Sequence, residues 1–168
     1  LPLFDIEYLF LRIRAKSVGE VVTPIIVCPE TEEEIEISIN LSEIEVKKTD
    51  GHKNKIKIND ELIIEMKYPT LSLLKERGTG IDYTSPSSFY DLIADCIEKI
   101  QTKKETLSIN EYSRDEIVSF VDNMTKEQFE KLLDFFITSP RVEHIAKYTA
   151  SDGKEREVVL SGLSDFFG

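Results

Sequence analysis

The sequence has no tryptophan, two cysteines, two histidines and no long apolar run. A membrane-spanning helix needs roughly 20 apolar residues in succession. No stretch comes near that length, so we expect no membrane partner. The two cysteines, Cys28 and Cys96, do not make a disulfide framework, and their scarcity favours synthesis inside a cell. No signal peptide is visible, and because the chain begins at Leu1 without Met, we expect further residues before it.

Positive charge is also scarce. The chain has 21 Lys and Arg against 32 Asp and Glu, for a net charge of −11. Such a surface repels nucleic acids and anionic membranes, and basic residues do not cluster with aromatic ones as nucleic-acid binding requires. The content of 40% hydrophobic and 32% charged residues is that of a globular protein. At 168 residues, we predict a single domain.

Sequence signatures of catalysis are missing as well. There is no glycine loop for phosphate, no nucleophile elbow and no paired-histidine motif. His52 lies near a predicted turn, where we expect it to be solvated, and His144 shares a strand face with Val142, where we expect a structural role. Tight zinc binding needs about four convergent Cys or His ligands. We therefore predict no catalytic, cofactor or metal site, and a protein that is not an enzyme.

An amphipathic helix is predicted from Asp5 to Val18. Its apolar stripe consists of Ile6, Leu9, Phe10 and Ile13. Further apolar residues lie on its other faces, namely Leu3, Phe4, Tyr8 and Leu11. A helix that is apolar on several faces is either deeply buried or in contact with a partner.

The next part of the chain is predicted to form a small antiparallel sheet. Alternating apolar residues and turn signals give strands at Val21–Val27, Ile35–Leu41, Lys55–Ile58 and Leu62–Tyr68. Pro24 favours a place at the sheet edge for the first strand, and Val46 extends the second. Seven glutamates lie between Glu30 and Glu45 without any Lys or Arg, and five lysines follow up to Lys57. Two interpretations stay open: solvated faces with cross-strand pairs, or a charged docking patch at Glu32, Glu33 and Glu34.

Helices dominate the middle of the predicted fold. A short helix at Thr70–Arg77 precedes a surface loop, Gly78–Ser88. The next helix has its stripe at Phe89, Leu92, Ile93, Cys96 and Ile100, and a polar connector, Gln101–Asn110, follows it. Two capping boxes then start two further helices, Ser113 with Glu116 and Thr125 with Gln128.

The C-terminal part is predicted to be a hairpin and an aromatic tail. The strands are Val142–Thr149 and Glu155–Leu160, around a turn at Ser151–Gly153. The tail, Gly162–Phe167, ends in Phe166 and Phe167. These rings either pack back on the core or form a site for a partner.

Two regions resemble the baseplate hub and hub-assembly proteins of T4-like contractile-tailed bacteriophages. One is FDIEYLFLRIRAKSVGE at Phe4–Glu20, which runs on into PIIVCPETEEEIEISINLSEIEV at Pro24–Val46, and the other is Thr125–Gly168, with TKEQFEKLLDFFITSPRVEHIAKYT and VVLSGLSDFF. The helix FYDLIADCIEKI between them also fits. The resemblance implies a role in building the tail baseplate, other hub proteins as partners, and location in the host cytoplasm during assembly and in the virion.

One departure from the family bears on metal. The resemblance implies a Cys-x-x-Cys after the first strand and another in the last hairpin turn, which would join the two hairpins through zinc. Here Cys28 is followed by Thr31 in the second position, and the last turn has Ala150, Ser151 and Asp152 before Gly153. We therefore expect no zinc, with the two hairpins packed side by side through apolar contacts.

The predicted fold is thus α+β: a small antiparallel sheet of two hairpins, degenerate and zinc-ribbon-like, packed with four to five amphipathic helices. Its parts are a β-rich region at 1–69, a helical region at 70–140 and a hairpin with tail at 141–168, which packs back on the first sheet. The candidate partner contacts are Phe4, Tyr8, Leu11, Glu32, Glu33, Glu34, Phe166 and Phe167. The alternatives are a transient tail-assembly chaperone that is absent from the virion and a small carboxylate-based hydrolase. A homo-oligomer is compatible with all of them.

Overall fold

The computed structural model describes residues 1–77 and 86–167. Within these ranges the fold is α+β, as predicted, with six α-helices and several small antiparallel sheets. The contacts group into two compact units: unit 1 comprises Leu3–Lys48 and Pro140–Gly168, and unit 2 comprises Thr49–Ser139. The single-domain organisation stays a prediction. Most of the predicted surface loop, residues 78–85, lies outside the described ranges.

The helices are α1 (Leu3–Ser17), α2 (Leu71–Arg77), α3 (Pro86–Cys96), α4 (Arg114–Asp122), α5 (Lys126–Thr138) and α6 (Gly162–Phe167). The strands are β1 (Val21–Val22), β2 (Ile25–Val27), β3 (Glu34–Glu36), β4 (Ile39–Asn40), β5 (Glu45–Lys47), β6 (Lys55–Lys57), β7 (Leu62–Met66), β8 (Ile97–Thr102), β9 (Thr106–Ser108), β10 (Arg141–Thr149) and β11 (Glu155–Ser161). None of the helices in the described ranges is long and apolar enough to cross a membrane.

The first hairpin of unit 1 is built from β1 and β2 on one side and from β3 and β4 on the other. β1 pairs with β4, β2 pairs with β3, and both pairings have the same register. The predicted strand Val21–Val27 is therefore two short strands in one line, interrupted beside Pro24, which cannot donate a backbone hydrogen bond. Ile37 faces inward, as the alternation from Ile35 to Leu41 predicts, and on the other strand Ile26 faces inward and Ile25 outward.

The second sheet of unit 1 has the order β11-β10-β5. The predicted C-terminal hairpin is confirmed, with His144 opposite Leu160 and Ile145 opposite Val159. The prediction that Val46 extends the strand before it is wrong. Val46 lies in β5 and pairs with Val142 on β10. A short 3₁₀ turn at Leu41–Glu43 interrupts the chain and allows β5 to join a different sheet.

Unit 1 has one apolar core, and both of its chain segments contribute side chains to that core. Its fully buried members include Leu11 on α1, Ile39 and Leu41 from the first hairpin, Val142 on β10, and Phe166 on α6. Burying a large apolar side chain contributes about 1.5–3 kcal/mol. Residues from the two ends of the sequence thus stabilise the same unit.

Unit 2 contains a four-stranded antiparallel sheet with the order β6-β7-β8-β9. Two predictions fail here. The helical stripe does not continue to Ile100, because α3 ends at Cys96 and residues Ile97–Thr102 form β8, and the polar connector contains β9. Ile100 lies opposite Ile64 on β7, so long-range strand pairing overrides the helical spacing of the local sequence.

The two capped helices of unit 2 are confirmed. Ser113 with Glu116 begins α4 and Thr125 with Gln128 begins α5, each with both hydrogen bonds of a capping box. On α5, Leu132 and Phe135 are buried in the core of unit 2. The start signals in the sequence were therefore sufficient to place these helices.

Candidate partner-binding surface

Helix α1 buries a different face from the one that the sequence predicts. Leu11 and Ala15 are buried, and Tyr8 packs partly against the same core. The predicted inward stripe faces solvent instead, because Phe10 is 48% exposed and Ile13 is 57% exposed. Both faces have apolar residues at helical spacing, so periodicity alone cannot decide which of them packs.

Arg12 fixes this orientation of the helix. Its guanidinium donates hydrogen bonds to the Tyr8 hydroxyl at 2.9 and 2.8 Å and to the carbonyl of Ser42 at 2.8 Å. It also lies over the Tyr8 ring, with 5.0 Å from Cζ to the ring centroid. The exposed residues Leu9, Phe10 and Ile13 are thereby held outward on a rigid support.

The aromatic tail meets the exposed face of α1. Phe166 is buried in the core, while Phe167 is 38% exposed and packs edge-to-face against Phe10 at 5.7 Å between ring centroids. The Leu163 backbone N–H donates to the Glu7 carboxylate, and burial raises the pKa of Glu7 above its ordinary value. We call Leu9, Phe10, Ile13 and Phe167 the α1–tail surface.

A cleft of about 430 Å³ adjoins this surface. It is lined by Arg14 at the end of α1, by residues 21–25 of the first hairpin, and by both rings of the tail. Val21 and Ile25 are largely exposed at its rim.

The structure brings together only some of the residues predicted to contact a partner. Leu11 and Phe166 are buried, and Phe4 and Tyr8 are half-buried, so Phe167 is the predicted aromatic contact with the greatest exposure. Leu9, Phe10 and Ile13 are exposed beside Phe167 but are not among the predicted contacts. Their signal was present, since α1 has more apolar residues than one buried face can hold.

The predicted acidic contacts have different surroundings. Glu32 and Glu34 are exposed, whereas Glu33 is half-buried in the turn of the first hairpin. Its carboxylate accepts hydrogen bonds from the backbone N–H of Ser151 at 2.6 Å and from the Thr31 hydroxyl at 3.0 Å. These bonds, the one from the Ser151 backbone above all, lower the pKa of Glu33. Glu33 therefore joins the two hairpin turns of unit 1.

An ion pair joins the same two turns. Arg156 on β11 contacts Glu30 at 2.9 Å and the Asp152 carboxylate at 2.7 Å. Hydrogen bonds from the Arg156 side chain hold the pKa of Asp152 far below its ordinary value. Apolar side chains of both hairpins share the core of unit 1, and these polar contacts join their turns in addition.

Cys28 lies beside this network. The thiol is buried, donates to Glu30 at 3.4 Å and interacts with the hydroxyl of Tyr148, while a hydrogen bond with the Thr31 side chain lowers the pKa of the thiol. Among the described residues, no group of three or more His, Cys, Asp or Glu is arranged to hold a metal ion. At this place, Arg156 and Glu33 make the connections between the turns.

The prediction of a solvated His52 is wrong. In unit 2 its Nδ1 lies 2.8 Å from the Thr138 hydroxyl and its Nε2 lies 3.0 Å from the Tyr68 hydroxyl. The Thr138 hydroxyl donates to the carbonyl of Asp134, so it accepts from Nδ1–H, and Nε2 accepts from Tyr68. The imidazole also packs against Phe135 at 5.1 Å, and burial lowers the pKa of His52.

A cleft of about 650 Å³ beside His52 has a mixed charged lining, with Lys53, Lys57, Glu127, Glu130 and Lys131 among its residues. Lys131 donates to the carbonyl of Ile58 at 3.0 Å and pairs with Glu127 at 3.0 Å. The bond to the Ile58 carbonyl connects α5 to the residue that follows β6, and the ion pair with Glu127 lies within α5.

A comparison with known protein families matches the chain, over residues 1–168, to the family described as T4 bacteriophage base plate protein. No curated protein and no solved structure gives a significant match. The family match covers the α1–tail surface, both hairpins and unit 2, and it confirms the resemblance seen in the sequence. The chain therefore belongs to the T4 bacteriophage base plate protein family and is a phage structural protein related to the baseplate.

Proposed function

We propose that this protein takes part in assembling the baseplate hub and acts through contacts with other hub proteins. The observation that carries the proposal is the α1–tail surface. Three of its large apolar side chains lie on α1, which Arg12 and Leu11 fix from behind, and the fourth, Phe167, lies on α6 and packs against Phe10. Contiguous exposed apolar residues on a rigid support mark protein interaction sites.

Binding at this surface has a clear energetic source. Each large apolar side chain that becomes fully buried contributes about 1.5–3 kcal/mol, and aromatic anchors such as Phe10 and Phe167 are enriched in the centres of interfaces. Because the Phe10 and Phe167 rings already pack against each other, little side-chain entropy is lost when a partner covers them. The net charge of −11 keeps the free protein soluble while this surface is uncovered.

An enzymatic role has less support. An acid–base hydrolase needs two converging carboxylates with pKa values that are pushed apart or raised. Among the described residues, Glu7 has a raised carboxyl pKa, but its carboxylate holds the backbone of α6. Four other carboxyl groups have lowered pKa values, each because of hydrogen bonds within the folded chain. They are Glu33, Glu116, Glu143 and Asp152.

Co-expression with individual baseplate hub proteins tests the proposal. We expect the wild-type chain to co-purify with at least one of them, and the double variant Phe10→Ser/Ile13→Ser to lose at least about 90% of the recovered partner, a tenfold effect that corresponds to about 1.4 kcal/mol. The matched control is Ile145→Thr/Val159→Thr, which changes a similarly exposed apolar pair on the C-terminal hairpin.

The control variant should co-purify like the wild type, and all three proteins should melt within about 4 °C of one another. Failure of the wild type to co-purify with any hub protein would refute the proposal.

A transient assembly chaperone would use the same surface, and mass spectrometry of finished particles separates the two roles. The chain is present in the particles if it is a structural component and absent if it is a chaperone.

A further inference from the structure

The outer edge of the first hairpin, residues 21–27, is unpaired within the described ranges, because β2 and β3 form a two-stranded sheet. The Pro24 carbonyl accepts from Ile37 N–H, and Cys28 N–H donates to the Glu33 carbonyl. Alternate residues of an antiparallel strand bond to the same side. The backbone groups of Ile25 and Val27 therefore point away from β3, and we call this side the hairpin edge.

The hairpin edge lacks the usual protection of an edge strand. Exposed edges normally have charged residues, proline or a covering segment that prevents pairing with another chain. Here Val21, Ile25 and Val27 are β-branched and apolar, and they are 57%, 59% and 61% exposed. Pro24 does not block the edge, because its missing N–H lies on the side that faces the paired strand.

A row of acidic side chains on β3 lies beside Ile25 and Val27, on the same face of the hairpin. Glu36 lies opposite Ile25, and Glu34 lies opposite Val27. Within the part of the chain that the structure describes, neither glutamate has an ion-pair partner, whereas Glu143 pairs with Lys47 at 2.6 Å. The sequence from residue 17 to residue 46 contains no Lys, Arg or His. The uncompensated negative charge is thus concentrated beside the unpaired edge.

We propose that the hairpin edge binds an extended segment of a partner protein as a third strand, with Lys or Arg beside Ile25 and Val27. Neighbouring strands are about 4.8 Å apart, so an added strand lies about 10 Å from the glutamate row. Lys and Arg can span this distance, with their aliphatic stems over Ile25 and Val27 and their charged ends at Glu34 and Glu36. Backbone hydrogen bonds between the added strand and the hairpin edge contribute to the affinity as well.

Charge decides between this occupant and a second copy of the chain. Edge-to-edge pairing of two copies would bring together two acidic hairpins, neither of which has a Lys, Arg or His between residues 17 and 46, which is unfavourable. Arg14 lines the cleft near Val21. The complementary basic residues are therefore expected beside Ile25 and Val27, opposite Glu36 and Glu34, and not beside Val21.

This inference rests on the proposed protein-binding role but uses a different contact, so the two can fail separately. The probe is a capped nine-residue peptide of alternating Lys and Val, compared with the same peptide containing Glu in place of Lys. Amide NMR spectra of the full isotope-labelled chain report both the binding constant and the residues affected. We expect the basic peptide to shift the amide signals of Ile25 and Val27, and the acidic peptide to have no effect.

Three variants test whether binding depends on Glu34, Glu36 and the outward N–H of Val27. Glu34→Gln/Glu36→Gln should weaken binding at least about tenfold, and Val27→Pro should abolish it because the outward N–H is lost. The matched control, Glu155→Gln/Glu157→Gln, removes two exposed glutamates at the same spacing on β11 and should bind like the wild type. Melting curves verify that each variant is folded.

The inference is overturned if the basic peptide does not bind, if it binds elsewhere, or if the glutamate variants bind as tightly as the wild type. Concentration-dependent broadening at residues 21–27 without peptide would assign the edge to a second copy instead. Peptide binding without co-purification of any hub protein would leave this inference intact and remove the proposed function. Co-purification that depends on Phe10 without peptide binding would do the reverse.

Discussion

The carboxylate of Glu33 accepts a 2.6 Å hydrogen bond from the backbone N–H of Ser151, which lies 118 residues further along the chain. The bond joins the turn of the first hairpin to the turn of the last one. Arg156 strengthens the joint, because it pairs with Glu30 on one turn and with Asp152 on the other. The two ends of the sequence are thereby held in one unit by directed polar contacts as well as by a shared core.

Replacing Glu33 with Ala should therefore lower the melting temperature by about 3 °C or more, while Glu34→Ala, at an exposed neighbour, should have little effect. The hydrogen bonds lower the pKa of Glu33, so its contribution to stability is present above the ordinary pKa of 4.5 and is lost as the pH falls through its lower value in the folded state. Thermal melts of both variants from neutral to acidic pH measure this. Equal effects of the two substitutions would contradict a joining role for Glu33.

His52 should make unit 2 less stable in mild acid. Burial lowers its pKa, so the unfolded chain takes up the proton more readily than the folded one does. The stability that neutral His52 contributes is complete above the ordinary value of 6.5 and is lost as the pH falls below it. Protonation also removes the acceptor that Nε2 offers to the Tyr68 hydroxyl.

The measurement is the slope of melting temperature against pH between about pH 5 and pH 7. We expect a smaller slope in His52→Gln than in the wild type. The chain has two histidines, so His144→Gln is measured beside it for comparison. If the His144 variant lost the slope and the His52 variant kept it, the tautomer and burial argument for His52 would be wrong.

Glu7→Gln should stabilise unit 1 at neutral pH. Burial raises the pKa of Glu7, so the folded state binds the proton more readily, and the cost of its charge disappears as the pH falls through the raised pKa toward 4.5. Glutamine still accepts the hydrogen bond from Leu163 without that cost. We expect a melting temperature about 2 °C above the wild type at pH 7, with Glu45→Gln as the exposed control, and no gain at pH 4. A loss of stability at pH 7 would show that the charge itself holds α6.

The sequence was most informative where local signals and packing agree. Capping boxes at Ser113 and Thr125 predicted the starts of α4 and α5, and alternation around Gly153 predicted the C-terminal hairpin. These elements are specified by side chains within a few residues of one another. Local sequence is therefore a sound guide to elements of this kind.

Prediction failed where distant residues decide the outcome. Ile100 continues a helical stripe in sequence, but pairing with Ile64 places it in β8. The faces of α1 are both apolar, and only the contact of Arg12 with Ser42 and the burial of Leu11 determine which one points outward. For the same reason, the candidate contacts that the sequence predicts on α1 lie on its buried or half-buried side, and its exposed residues are not among them.

Hydroxyl-radical footprinting of the chain, free and in complex with a co-purifying hub protein, shows whether a partner covers the α1–tail surface. We expect Leu9, Phe10, Ile13 and Phe167 to lose reactivity in the complex. Ile145 and Val159, which are exposed on the C-terminal hairpin, should keep theirs. Unchanged reactivity at Phe10 and Phe167, with protection at Ile145 and Val159 instead, would contradict partner binding at the α1–tail surface.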